Sequence, residues 1–248
     1  MTAQLRAELL KQRSTRTVLG LFLAMLAVIL VAMLLHGFGL AAEVLAPRHN
    51  QLMVLGVGEK LGVLFAALVG AVSITAEFRH GTIRPTLLAA PRRGRVVAAK
   101  LAASLLVGAG FGLAGSGLAA GVGSVLLQMR GIAIDLNGSD YALLILGGTV
   151  AGALWAAIGV GVGAVVRNQV PALIGICAWL LFVESLLVEG NSSVIEVGRF
   201  GPGAAAAAIT GQGSGALLAP AVGLLVLALY AAGAGLAAWQ ATTRRDVA

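Results

Sequence analysis

Long runs without a charged residue, separated by short polar joints, organise this chain. Uncharged stretches cover residues 17–42, 61–76, 101–129, 141–166 and 200–243, and a further run over 170–188 is interrupted only by Glu184. A helix needs about 20 apolar residues to cross about 30 Å of hydrocarbon. The run over 61–76 falls short of that, and extending it back to residue 56 puts Glu59 and Lys60 at a rim, where the lysine can snorkel. The run over 200–243 is too long for one span. Gly201, Pro202, Gly203 and a Gly/Ser cluster over 211–215 interrupt its first part, since such residues break helices. The pattern therefore predicts spans over 17–41, 56–76, 101–128, 141–166, 170–188 and 216–240, with an interfacial or re-entrant segment over 199–215. The first run exceeds the roughly 7–15 residues of a signal peptide's apolar core, so it reads as an uncleaved span. Before it, Leu5, Leu9 and Leu10 recur at helical spacing among Arg6, Lys11 and Arg13, which predicts a short amphipathic helix on the membrane surface.

Composition agrees. The 248 residues are 59% apolar and only 11% charged, and the mean hydropathy is +0.97. Soluble domains carry about 25% charged residues, so the bilayer is the natural solvent for this chain. The fold class expected is all-α, a single polytopic membrane domain over residues 1–248. The 35 glycines suit closely packed membrane helices, and Gly108/Gly112, Gly117/Gly121 and Gly148/Gly152 stand at the small-xxx-small spacing. The one cysteine, Cys177, excludes an intrachain disulfide and a cysteine-based metal cluster.

The net charge of +7 takes its meaning from its distribution. Six spans place the N-terminus, the 77–100 connector, the Arg167 turn and the C-terminus on one side. That side holds thirteen of the seventeen Lys and Arg residues, leaving Arg48, Lys60, Arg130 and Arg199 for the other. Lys and Arg concentrate in cytoplasmic loops, so both ends are expected in the cytoplasm. An odd number of spans would mix the two sets.

Candidate chemistry is sparse. There is no GxxxxGK[ST] phosphate loop. "GFGLAG" over 110–115 matches a dinucleotide pattern, but it lies mid-span, without the preceding strand that pattern requires. His36, His49 and His80 are scattered and lack a carboxylate cluster, so no metal ligand set is expected. Asn137-Gly-Ser and Asn191-Ser-Ser are formal glycosylation sequons. Glu184 is an acid inside an apolar run, and such groups are functional candidates. It lies about one turn, roughly 6 Å, from the end of its span. A rim hydrogen bond or a salt bridge to Arg199 or Arg130 competes there with a substrate or proton role.

The connector "EFRHGTIRPTLLAAPRRGRVVAAK" is the most organised polar segment. Glu77 and Arg79 end the second span, and Gly81-Thr82 is a break with Thr82 placed as an N-cap. Pro85, after Ile83 and Arg84, suits a first helical turn. Leu87 and Leu88 form an apolar face, Pro91 stops the helix, and Arg92, Arg93, Arg95 and Lys100 lead back to the membrane. A loop that only sets orientation explains the charge but not a capped helix between two prolines.

This connector resembles the first cytoplasmic connector of type-2 ABC transporter permeases, on Glu77, Arg79, Gly81, Thr82, Pro91, Arg93 and Lys100. The basic N-terminal helix, the six-span layout and the segment "RFGPGAAAAAITG" are similar to that family too. The resemblance implies a coupling helix over 83–90 that docks on a separate ATPase subunit, with Glu77 and Arg79 as hinge and anchor and Arg92, Arg93 and Arg95 as polar flank. It implies a complex of two permease chains and two ATPase chains in the plasma membrane, with ATP and magnesium bound by the ATPase and no cofactor or catalytic residue in this chain. It implies an exporter. The short outer loops depart from members with a large extracellular domain. The alternatives are a secondary transporter, whose midplane acids and inverted repeats have no evident counterpart here, and a membrane scaffold subunit.

Overall fold

A computed structural model of the chain describes residues 2–82, 93–184, 186, 197–212 and 217–243. Among them the secondary structure is helical throughout: α1 (Thr2–Ser14), α2 (Arg16–Gly39), α3 (Ala42–Leu45), α4 (Arg48–Leu55), α5 (Val57–Arg79), α6 (Arg93–Met129), α7 (Gly138–Val166), α8 (Gln169–Ala178), α9 (Pro202–Ile209) and α10 (Pro220–Thr243). A π-helical turn over Trp179–Val183 prolongs α8. Among the described residues five helical stretches are long and apolar enough to cross a membrane, with α4 and α5 counted as one; the stretch Gln169–Val183 is apolar but shorter.

The centre of the bundle is α5, α6 and α7. Val63, Ala67, Ala71, Trp155 and Leu227 share one buried cluster, and Met25, Ile29, Met33, Val69 and Phe111 share another. By contrast α2 and α10 lie outside, with Leu23, Val31, Leu35, Leu225 and Leu229 exposed. In water that surface would be costly; against lipid tails it is what a span requires. The helices α6 and α7 cross with their backbones in contact. A side chain on Gly112 would stand 2.1 Å from the Gly148 carbonyl oxygen, and one on Gly108 would stand 2.4 Å from that of Gly152. Only glycine permits this approach. Gly117 has nothing within 4 Å, so the two small-xxx-small pairs on α6 have different surroundings. Within "GFGLAG", Gly112 and Gly115 are packing residues against α7 and α5.

Two ends of the bundle are defined by polar contacts. At one, which we call the basic end, Arg167 donates to the Ala241 carbonyl at 2.6 Å and lies 5.5 Å from the Phe78 ring centroid. At the opposite end Arg48 donates to both oxygens of Asp140, at 3.3 and 2.5 Å. Arg130 donates there to the Gly37 and Leu40 carbonyls, both at 2.6 Å. Asn137, the first residue of one sequon, is the N-cap of α7 in a reciprocal capping box with Asp140.

Candidate functional site

The connector leaves α5 at the basic end through a sharp stop. Gly81 has φ 66°, a left-handed conformation that glycine adopts without strain. The Thr82 amide donates to the Glu77 carbonyl at 3.0 Å and the Gly81 amide to that of Phe78 at 3.3 Å. This pair of bonds is a Schellman stop. The expected break at Gly81-Thr82 is therefore present, and Thr82 closes α5 through its amide. The coupling helix expected over 83–90, with Ile83, Arg84, Pro85, Leu87 and Leu88, lies outside the described residues, as do Pro91, Arg92 and the N-cap role of Thr82.

The chain returns as α6 already at Arg93, not at residue 101. Arg93, Arg95 and Lys100 therefore belong to the first two turns of a helix, not to a loop. The reason is length. At 37 residues and 1.5 Å each, α6 is about 56 Å long, well beyond the hydrocarbon, so its charged start is helical outside the apolar layer. Arg95 is exposed there, whereas Lys100 is 3% exposed.

Lys100 is the centre of an ion network that closes the connector. Its ammonium donates to Glu77 at 3.0 Å, to Glu8 at 2.6 Å and to the Ser73 carbonyl at 3.1 Å. Lys11 adds bonds to Glu8 at 2.9 Å and Glu77 at 3.1 Å. Glu8, Glu77 and Lys100 are all buried. A charge is held out of water only when paired and bonded, and here two carboxylates and two ammoniums satisfy each other. The first and last residues of the expected motif, Glu77 and Lys100, are thus brought into direct contact. Arg79 points elsewhere, donating to Gln169 at the start of α8 at 3.2 Å.

Glu8 and Lys11 were not identified from the sequence. The leucine spacing of α1 suggested an apolar inner face, but its buried positions are Glu8 and Gln12, and Leu10 is exposed. Glu8 and Gln12 stand four apart, one turn of helix, and that spacing was the available signal. Burial works against the Glu8 carboxylate, but Lys100 and then Lys11 overcome it and hold its carboxyl below the usual carboxylate value. Burial also opposes the Lys11 charge, and its bonds to Glu8 and Glu77 more than offset this and raise it. The Glu8 contribution is complete above the ordinary carboxylate pKa and is lost as pH falls through the lowered one. The Lys11 contribution is complete below the ordinary lysine pKa and is lost as pH rises through the raised one. Both contributions are complete across the neutral range between them.

At the opposite end, Glu184 is 5% exposed. It accepts from the Gly203 amide at 2.5 Å, the Ala204 amide at 2.8 Å and Trp179 Nε1 at 3.1 Å. These amides are free donors in the first turn of α9, so Glu184 caps that helix from a distance. The π-helical turn supplies the register, because it sets Trp179 and Glu184 five residues apart on one line. The salt bridges considered for Glu184 are not formed among the described residues: Arg130 bonds carbonyls, and Arg199 lies 5.2 Å from the Phe200 ring centroid.

Glu59 corrects a sequence expectation as well. It does not sit at an open rim but is 2% exposed and accepts from Gln212 at 3.0 Å. Gln212 also donates to Thr210 at 2.7 Å. The short helix α9 is therefore held at its start by Glu184 and just past its end by Glu59. Replacing Glu184 by Leu leaves the two amides unpaired, at about 1–3 kcal/mol for each buried donor. Glu184→Leu should lower the thermal unfolding temperature of the detergent-solubilised chain. Glu184→Gln, which keeps an acceptor for both amides, should lower it less. Equal losses would contradict the capping role.

The described residues hold no group of three His, Cys, Asp or Glu that could bind a metal ion. A family model described as ABC-2 family transporter protein matches residues 4–184. No curated protein matches the chain.

Proposed function

From the premise that this chain belongs to the ABC-2 family of transporter proteins, as a multi-pass membrane component of a transport system, we propose that it is the permease subunit of an ATP-driven exporter. It forms the substrate path and takes its power stroke from a separate ATPase subunit that binds ATP and magnesium. Two such chains and two ATPase subunits make the working unit in the plasma membrane. Counting the Gln169–Val183 stretch as a shorter fifth span gives six, with both ends in the cytoplasm and α9 as a re-entrant segment on the outer side.

The observation that carries this reading is the ion network at the connector. The two described helices on either side of residues 83–92 are tied together by Glu77 and Lys100, which bond each other at 3.0 Å. A push on the connector cannot move the end of α5 without the start of α6. Glu8 couples α1 to the same point at 2.6 Å. The connector is thereby a handle on three helices at once, which is what a motor outside the membrane requires. Arg79, through Gln169, extends the linkage to α8.

Leu87 and Leu88 supply the docking face of the handle in this proposal. Leu87→Asp or Leu88→Asp should abolish co-purification with the co-expressed ATPase subunit and ATP-dependent transport, while the permease still reaches the membrane. Pairing that persists in both variants would sink the assignment. Transport driven by a proton gradient without ATP, and lost in Glu184→Gln, would favour a secondary transporter.

A further inference from the structure

Glu59 is a buried acid with no part in the proposed coupling. It stands in the first turn of α5, near the end opposite the connector, and is 2% exposed. The arginines of this end are engaged elsewhere. Arg48 bonds Asp140, Arg130 bonds the Gly37 and Leu40 carbonyls, and Arg199 lies over the Phe200 ring. Lys60 follows Glu59 in the helix but is exposed, and no ion pair joins the two. Arg79, at the other end of α5, is twenty residues away, about 30 Å along the axis. The helices packed on α5 bring no charge of their own at this level: α6 has none between Lys100 and Arg130, and α7 none between Asp140 and Arg167. Residues 187–196 and 213–216 add two acids, Glu189 and Glu196, and no cation. The charged groups that act on Glu59 at a distance are Lys60 and Glu184, of opposite sign.

Hydrogen-bond donors are equally scarce. An ionised carboxylate has about four acceptor sites. Glu184 receives three N–H groups, whereas Glu59 receives one, from Gln212 at 3.0 Å. The orientation of Gln212 is fixed by its neighbour. Thr210 donates its hydroxyl to the Ala207 carbonyl at 2.9 Å, so it can only accept from Gln212 Nε2, at 2.7 Å. The second N–H of that nitrogen goes to Glu59, and the carbonyl oxygen of a neutral acid accepts it as well as a carboxylate does. Ser116 makes no bond to Glu59, although both side chains pack against the same point of α7. A side chain on Gly148 would collide with Ser116 Oγ and stand 3.7 Å from the Glu59 Cβ. The Ser116 hydroxyl is itself buried without a partner.

A buried charge with no counter-ion and one neutral donor is costly, and such groups are neutralised instead. We propose that Glu59 is a proton-binding site: at neutral pH the folded chain carries it as the neutral carboxylic acid, and the bound proton is part of what fastens the end of α9 to α5. Removing that proton places a charge between Gly148 and Gln212 that only entering water can solvate. The contact just past the end of α9 must then open, while its start stays capped by Glu184. The ligand of this site is the proton, and the segment that responds to it is α9.

Infrared spectroscopy reads the proton itself. The full-length chain in detergent at neutral pH should show the carbonyl stretch of a carboxylic acid, displaced on exchange into deuterium oxide. Glu59→Gln, which matches the neutral acid in shape, should remove that band, and Glu184→Gln should leave it. A wild type without the band, or a band that survives Glu59→Gln, overturns the site. If Glu59→Gln does not fold, Glu59→Asp takes its place and should shift the band; an unmoved band overturns the site equally. Stability gives a second reading. In the unfolded chain Glu59 meets water, where a glutamic acid ionises above about pH 4.3. From there to neutral pH the folded chain holds one proton more than the unfolded one, so stability falls as pH rises. Histidines and the other acids titrate alike in wild type and Glu59→Gln. The ratio of their folding constants should therefore change about tenfold per pH unit between about pH 5 and pH 7. Parallel profiles contradict the proposal. None of these readouts involves the ATPase, so the proton site and the coupling role can fail separately.

Discussion

Lys100→Met should destabilise the chain by about 3–5 kcal/mol, the range found when one partner of a buried ion pair is removed. Methionine retains most of the apolar stem, so lost packing contributes little. What changes is the environment of Glu8 and Glu77. Lys100 supplies one bond to each, and Lys11, whose side chain is 50% exposed, is the remaining cation. The measurement is thermal unfolding of the detergent-solubilised chain. A double variant, Lys100→Met with Glu8→Gln, separates the network from the single charge. Coupled neighbours show interaction energies of about 0.5–3 kcal/mol, so the double variant should be more stable than the sum of the single losses implies. Lys100→Met that unfolds at the wild-type temperature would show that this network does not hold the connector ends. In the proposed mechanism the same variant also uncouples α5 from α6, so ATP hydrolysis should persist while transport falls.

Gly112→Val carries the other large effect. Its first side-chain atom would stand 2.1 Å from the Gly148 carbonyl oxygen, and that neighbour is backbone on a helix fixed by its own hydrogen bonds. Overpacking typically costs about 1–3 kcal/mol, and more where nothing can give. Here α6 must separate from α7, and the contact at Gly108–Gly152 opens with it. The expected outcome is a strong loss of folded protein in membranes, read by fluorescence-detected size exclusion. Gly117→Val is the matched control. It makes the same change on the same helix, where nothing lies within 4 Å, so the gain in helix propensity is shared and only the crossing differs. Comparable loss in both would refute the crossing as the cause.

Much of the layout was legible because charge is so costly in hydrocarbon that its absence marks a span. The α2, α5, α7 and α10 helices lie within a few residues of the expected segments. The polar contacts were legible only in part. Glu77 and Lys100 stood out as ends of one motif, but their contact depends on a tertiary approach across 23 residues, and Glu8 joins from 92 residues away. Within α1 the one local sign of that partner is the four-residue spacing of Glu8 and Gln12, and the leucines diverted attention from it. Glu59 looked like a rim residue because the alternation of span and loop says nothing of a short helix folding back over it. The start of α6 was missed for a related reason. Charge was read as the end of a helix, although a helix that outruns the bilayer can carry charge in water.

The two carboxyl groups that hold α9 belong to different helices, Glu59 to α5 and Glu184 to the prolongation of α8. Each grips the short helix by polar bonds in a setting where water does not readily replace them. The segment is therefore a cross-brace of fixed length between two pillars. The pillars can tilt or travel together with it, but they cannot part at that end without breaking a grip. A gate built from this chain would then open along a seam the brace does not cross, such as the lipid-facing flanks of α2 and α10 or the boundary with a second copy.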